Sequence, residues 1–325
     1  CVHCGMCAEA CHYYLATGDP ELIPVAKQHR FASLYRAHHD KAGRTVPALV
    51  GAAELTDEAA SALHRAAFEH CSLCGRCAMT CPMGINTGDV LYQARRALAS
   101  VGKAPEGLKK PARVAVEKGN YLGLPVEDVV ENLEWLSEEL GDELEQEGLE
   151  IPLNKQGADV LYIPHPLELR DFPMVVMAAA KIFEKAGESY TFSSDHFDTV
   201  NYAFYGADEV KMKQIIQNLV SAAEKLGVKR VVLSPCGHGY RVLRWEAERL
   251  LGRPYTFEVV SLAEMVDLYL REGRIKLDPQ KVQGDGTLTY HDPCNLARNG
   301  GVVQEPRNML NHLAGDDFVE MAPHG

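Results

Sequence analysis

Cys1-Val-His-Cys-Gly-Met-Cys-Ala-Glu-Ala-Cys11 and Cys71-Ser-Leu-Cys-Gly-Arg-Cys-Ala-Met-Thr-Cys81 share one spacing, C-x2-C-x2-C-x3-C, and Pro82 follows the second set. Eight of the ten cysteines are used in this way. Three thiolates at i, i+3 and i+6 on a loop reach three irons of a cubane, while the fourth, at the start of a following helix, reaches the neighbouring cluster. The spacing therefore predicts two [4Fe-4S] clusters with crossed ligands. Cys1, Cys4, Cys7 and Cys81 would hold one, and Cys71, Cys74, Cys77 and Cys11 the other. Gly5 and Gly75 share an offset at which a missing Cβ would let backbone approach the cluster and donate N–H bonds to its sulfides. A disulfide framework or a pair of zinc sites also uses close cysteines. Disulfides this local would close strained loops, and zinc calls for four spread ligands rather than two interlocking sets of four. His12 stands where a proline is expected after the first set, which leaves ligation intact.

About 60 residues separate Cys11 from Cys71, so the insert must carry structure of its own. Phe31, Leu34 and Tyr35, then Leu55, Ala59, Leu63 and Phe68, recur at helical spacing, with Asp57 and Glu58 in the first turn of the second segment. His38 and His39 suggest a metal pair, but a solvated helix end accounts for them. Beyond the clusters, Pro125 opens a helix with Val126, Val129, Val130, Leu133, Leu136, Leu140 and Leu144 on one face. Eleven acids between Glu127 and Glu150, uninterrupted by Lys or Arg, supply nearly all of the net charge of -12. This is a solvated face, with a docking surface for a basic partner as the alternative. A basic field for nucleic acid is excluded, and no run of about 18 to 20 apolar residues would span a membrane. Cys1 opens the chain without an initiator Met and reads as the start of a fragment.

From residue 158 strand and helix alternate: Val160–Ile163, Met174–Ala186, Val210–Leu226, Val231–Leu233, Tyr240–Leu251, Phe257–Val260 and Leu262–Arg271. That order predicts a three-layer α/β domain with a mainly parallel sheet. A second start appears at Leu288. Val160-Leu-Tyr-Ile-Pro-His-Pro166 and Leu288-Thr-Tyr-His-Asp-Pro-Cys294 align as strand plus proline-containing turn, which suggests an internal duplication. The expected fold is therefore a multidomain α+β and α/β chain. Residues 1–105 form a helical ferredoxin-like domain with two clusters, 106–157 an acidic helical linker, 158–285 a first α/β half, and 286–325 the start of a second.

Ser234-Pro-Cys-Gly-His-Gly-Tyr-Arg241 in the first half and Thr289-Tyr-His-Asp-Pro-Cys-Asn-Leu-Ala-Arg298 opening the second, behind a ferredoxin module, carry a resemblance. The chain resembles the heterodisulfide-reductase D-type iron–sulfur oxidoreductases, and among them the DsrK subunits of the sulfite-reductase-associated membrane complex. The resemblance implies duplicated CCG-type domains, in which a lone cysteine, a Cys-Cys-Gly and a later C-x2-C hold a noncubane [4Fe-4S] cluster that cleaves or forms sulfur–sulfur bonds. In the first half these positions fall on Pro166, Phe204-Tyr205-Gly206 and Cys236-Gly-His-Gly239, so Cys236 alone survives. This degeneracy disfavours a methanogen-type heterodisulfide reductase D and a glycerol-3-phosphate dehydrogenase C subunit. In the second half Cys294 stands where the lone cysteine belongs.

The resemblance further implies a cytochrome b-like membrane partner that interacts with quinone, a small sulfur-carrier protein whose disulfide or trisulfide is the substrate, and a cytoplasmic location on the membrane surface. Cys236, His238 and His291 are the candidate catalytic residues, with Cys294 a ligand of the noncubane cluster. Cys236 lies at the start of a helix, where the amino terminus favours a thiolate, and Gly237 and Gly239 would let backbone approach a cofactor. Arg241 and Arg298 would steady a negatively charged sulfur substrate. Each cysteine also has a bland reading as a small buried hydrophobe. A pure electron relay and an iron–sulfur subunit of a lactate, glycolate or glycerol-3-phosphate dehydrogenase are the competing functions.

Overall fold

A computed structural model describes residues 1–281 and 286–322. They form two compact units, Cys1–Lys109 with Tyr205–Asp208, and Lys110–Phe204 with Glu209–Gly325.

The first unit is helical. Its main helices are Pro24–His39, Asp57–His64 continuing through a π-turn at Arg65–Glu69, and Thr87–Ser100. Pro24 occupies the first helical turn, where its missing N–H costs nothing. The Thr56 hydroxyl accepts the Ala59 N–H at 3.2 Å, and the Asn86 side chain accepts the Gly88 N–H at 3.0 Å, so two helix starts are capped. Leu34, Leu63, Ala66, Ala67, Leu91, Ala94 and Leu98 form the core between them. Two residues of the predicted stripe fall outside it. Tyr35 is exposed and stacks on His39 with ring centroids 4.7 Å apart, and Leu55 precedes its helix in solvent.

The second unit is built on four parallel strands, β1 (Val160–Ile163), β2 (Tyr190–Thr191), β3 (Arg230–Leu233) and β4 (Glu258–Ser261), in the order β2-β1-β3-β4. β1 pairs Val160 with Tyr190 on one side and with Arg230 on the other. Every residue of β1 is buried, as in a sheet covered on both faces. Chain order reverses between β1 and β3, which opens a crevice beyond their carboxyl ends. Residues 110–157, most of the segment expected as a linker, belong to this unit. Val129, Leu133, Leu136 and Leu140 of the Val126–Leu144 helix are buried, and that helix packs on the Pro173–Ala186 helix. Its acids face outward, Glu143 pairing with Lys181. Ser137 is the polar exception: its hydroxyl donates to the Leu133 carbonyl at 2.6 Å and accepts the Ile151 N–H at 2.9 Å, pinning the returning chain.

The strand predicted from Leu288 does not form. Leu288 makes an isolated bridge to Phe318, donating to the Asp317 carbonyl and accepting from the Val319 N–H, both at 2.8 Å. Thr289 and Tyr290 carry the right residue types, but a strand exists only where a ladder of partners exists, and the four-stranded sheet ends elsewhere.

Candidate cluster and thiol sites

In the first unit, Cys71, Cys74 and Cys77 line one pocket together with Cys11, and Cys1, Cys4 and Cys7 line a second together with Cys81. Cys77 and Thr87 border both. The loops repeat one backbone path. His3 and Leu73 both sit at positive φ, 55° and 57°, and Gly5 and Gly75 at 81° and 73°. Gly5 and Gly75 therefore stand in a left-handed turn that L side chains rarely adopt. A non-glycine in that conformation costs about 1 kcal/mol, and here the cost recurs at matching positions of two loops.

The surroundings of Cys11 and Cys71 test whether a cluster fits. Lys27 is 2% exposed, and its ammonium donates to the His70 carbonyl at 2.7 Å and to Cys11 Sγ at 3.3 Å. Arg95 is 4% exposed, and its guanidinium donates to the carbonyls of Ala67 and Tyr205 at 2.8 Å and of Cys71 at 2.6 Å. Among the described residues neither cation has a carboxylate partner. Two buried positive charges without anions are costly, and a cluster held by four thiolates is the anion that would balance them. Burial pushes the Cys7, Cys71 and Cys77 thiols up, as for thiols with no metal charge beside them. Among the described residues no three His, Cys, Asp or Glu side chains close on a single-ion position. Sequence reasoning missed Lys27 and Arg95. The signal was present, since Lys27 shares a helical stripe with Phe31 and Leu34, and Arg95 one with Leu91 and Leu98.

In the second unit, the turns after β1 and β3 and the Pro293–Asn295 loop border an open cavity of about 310 Å³ lined by His165, Glu168, Cys236, His238 and Cys294. Two glycines hold it together. A Cβ on Gly237 would lie 2.6 Å from the Leu296 nitrogen, and one on Gly239 would lie 2.1 Å from the Thr199 oxygen. Their missing side chains admit neighbouring backbone, and Gly237 also lines the cavity. Cys236 is buried, and burial pushes its thiol up to about 11 although the His238 and Gly239 N–H groups pull it down. The expected helix-start stabilisation is present but loses to desolvation.

Cys294 follows no strand and starts no helix. It lies in a run of turns in which Ala297 donates to the Pro293 carbonyl at 2.8 Å, and the next helix is Gln304–Ala314. Asn299-Gly-Gly301, with Gly301 at φ 93°, stops propagation. Arg241 reaches Asn295 at 3.3 Å and lies over the Phe204 ring, contacts that brace this loop. His291 is exposed and outside the cavity lining.

His165 and Glu168 were not anticipated. His165 caps the Pro166–Asp171 helix: its Nδ1 accepts the Leu167 N–H at 3.1 Å, and Glu168 accepts the His165 N–H at 2.9 Å. His165-Pro-Leu-Glu168 is a capping-box spacing with histidine in place of serine, which is how sequence could have found it. An Nδ1 that accepts leaves the neutral ring's proton on Nε2. Burial lowers His165, with His238 adding to the effect, and lowers His238, with Arg241 adding to it. Burial also raises Glu168. Carboxyl and imidazoles are thus drawn toward one another in proton affinity.

Asp198 lies behind this site, accepting N–H bonds from Tyr121 at 2.5 Å and Asn201 at 3.1 Å, and burial lifts its carboxyl to about 6. The folded chain therefore holds this proton more tightly than the unfolded chain. The resulting stability is complete below the ordinary carboxylate pKa near 4 and lost as pH rises through 6, by up to about 3 kcal/mol. Urea midpoints at pH 4.5 and 7.5 should show this loss, and Asp198→Asn should remove the Asp198 part of the slope whatever its absolute stability. A slope unchanged in the variant would disprove the assignment.

A family model described as a 4Fe-4S dicluster domain matches residues 1–85. The whole chain aligns at 30% identity with the Hdr-like menaquinol oxidoreductase iron-sulfur subunit 2 of Archaeoglobus fulgidus, covering 64% of that protein. It aligns over 99% of its length, at 28% identity, with the D subunit of the dihydromethanophenazine:CoB--CoM heterodisulfide reductase of Methanosarcina mazei, covering 74% of it. A third relative is the EtfAB:quinone oxidoreductase of Syntrophomonas wolfei, 27% identical over 99% of the chain and 46% of that protein. The methanogen protein, disfavoured by the missing cysteines, thus matches nearly as well as the menaquinol-linked one. No solved structure matches. With a dicluster domain model matching its front and this similarity along its full length, the chain is similar to the Hdr-like and heterodisulfide reductase D-type iron–sulfur subunits and spans about two thirds of their length.

Proposed function

We propose that the chain is the electron-carrying and catalytic iron–sulfur subunit of a quinone-linked complex, passing electrons through two cubanes to a sulfur–sulfur bond in the cavity of the second unit. Cys1, Cys4, Cys7 and Cys81 hold one cubane and Cys71, Cys74, Cys77 and Cys11 the other. The observation that carries the catalytic part is the meeting of Cys236 and Cys294, 58 positions apart, at the crevice where strand order reverses. In this reading residues 158–285 are a degenerate CCG half, 286–325 open the second half, and Cys294 is a ligand of a noncubane cluster. That cluster would supply electrons. A disulfide then takes up two electrons and two protons to give two thiols, and His165, His238 and Glu168 are the groups placed to hold and hand over protons.

The partners in this reading are a cytochrome b-like protein facing quinone and a small sulfur-carrier protein. Peripheral attachment through such a partner is compatible with the finding that no helix among the described residues is long and apolar enough to cross a membrane. The relay reading has its own support in the burial of Cys236, which suits a structural thiol.

Cys294→Ser and Cys236→Ser separate the two. Anaerobic preparations are assayed for disulfide reduction with a reduced viologen as donor, alongside EPR of the cubanes. The catalytic reading expects roughly a hundredfold or greater loss of turnover in Cys294→Ser with both cubane signals retained. Full activity in both variants leaves only the relay.

A further inference from the structure

The two cubane sites differ in one respect that bears on electron flow. The cavity of Cys11, Cys71, Cys74 and Cys77 is bounded by Lys27 and contacted through Cys71 by Arg95. Among the described residues no Lys or Arg side chain lines the cavity of Cys1, Cys4, Cys7 and Cys81, where Cys1 and Cys4 are exposed. Accepting an electron makes a cluster one charge more negative. A fixed positive charge in contact with its ligands favours that state, and it acts strongly where low-polarity surroundings do not screen it. Water around the exposed site works in the same direction but responds as a screened medium.

We propose that Lys27, supported by Arg95, raises the reduction potential of the Cys11/Cys71/Cys74/Cys77 cluster above that of the Cys1/Cys4/Cys7/Cys81 cluster, so that an electron entering the pair comes to rest on the former. The step is a one-electron reduction of a cubane, without bond or proton changes. Lys27 is a tuning residue: its ammonium donates to the sulfur of a ligand and touches no substrate. Arg95 holds the Cys71 backbone and adds a second charge behind it. Thr87 and Cys77, bordering both cavities, mark the short path between the clusters.

The inference rests on the two-cubane reading, and iron analysis keeps their failures apart. Fewer than about six irons per chain would count against two cubanes; the normal complement with the wrong potentials would count against Lys27. The experiment is an anaerobic redox titration of the cluster-loaded chain followed by EPR. Lys27→Met should lower the midpoint of the higher-potential cluster by at least a tenfold change in its reduction equilibrium, about 59 mV for one electron, and leave the other in place. Lys27→Arg, which keeps the charge, should recover most of the shift. Equal movement of both clusters, or of neither, overturns the proposal. Should Lys27→Met fail to load, the order is tested separately with Cys4→Ser, an exposed ligand of the other cluster. It should alter the EPR signal that appears at the lower potential, and alteration of the first signal to appear refutes the proposal.

Discussion

Replacing Cys11 by alanine should strip the cluster whose other three ligands, Cys71, Cys74 and Cys77, lie about 60 residues downstream, and spare the one formed around Cys1, Cys4 and Cys7. Cys81→Ala should do the reverse. The basis is the pairing of cavities, in which each run of three cysteines shares its space with the fourth cysteine of the other run. Iron should fall from about eight to about four per chain in each variant, or to about seven if a three-iron cluster survives. Which signal disappears decides the matter. EPR of the reduced proteins, compared with a Cys74 variant and a Cys4 variant, should pair Cys11→Ala with the former and Cys81→Ala with the latter. The opposite pairing would show that each run keeps its own fourth cysteine. Cys11→Ala carries an added penalty, because it takes away the sulfur to which the buried Lys27 ammonium donates.

Arg307→Met should destabilise the second unit by about 3–5 kcal/mol, the cost of breaking a buried ion pair from one side. Arg307 donates two parallel bonds to Asp292, at 2.9 and 2.8 Å, in a setting where the two side chains are 8% and 3% exposed. It also donates to Glu320 and to the Val303 carbonyl at 2.7 Å, and lies over the Tyr290 ring. Substitution removes the guanidinium that neutralises Asp292, two residues before Cys294, so the loop carrying that thiol should loosen along with the unit. Asp292→Leu combined with Arg307→Met should recover much of the loss, since replacing both partners removes the buried charge. Urea denaturation of the cluster-loaded chain measures both. A single-variant change below about 1 kcal/mol would mean that the pair is a surface-like contact.

Much of the fold could be read from the residues because its causes are local. The 3.6-residue period of Val129, Leu133, Leu136 and Leu140, the capping residues Thr56 and Asn86, and the buried apolar runs of β1 and β3 each act over a few positions. Where the reading failed, the missing information was a partner. Leu288-Thr-Tyr has strand chemistry and no ladder to join, and Tyr35 has the period but faces water. The two-residue strand Tyr190–Thr191 is too short to show any period and exists because β1 lies beside it.

The candidate sites divide along the same line. The sequence by itself determined the two cysteine sets and their repeated loop geometry, because spacing along a few residues controls where thiols and left-handed glycines can point. It also determined the parallel α/β order, because strand and helix periods alternate along the chain. Only the tertiary structure decided that His165 and Glu168 join Cys236 and Cys294 while His291 stays in solvent, since which turns meet depends on strand order across the sheet. It also decided that Cys236 is buried, which pushes its thiol up, and that Lys27 and Arg95 are buried cations. Desolvation is summed over neighbours drawn from distant segments, and no stretch of sequence contains that sum.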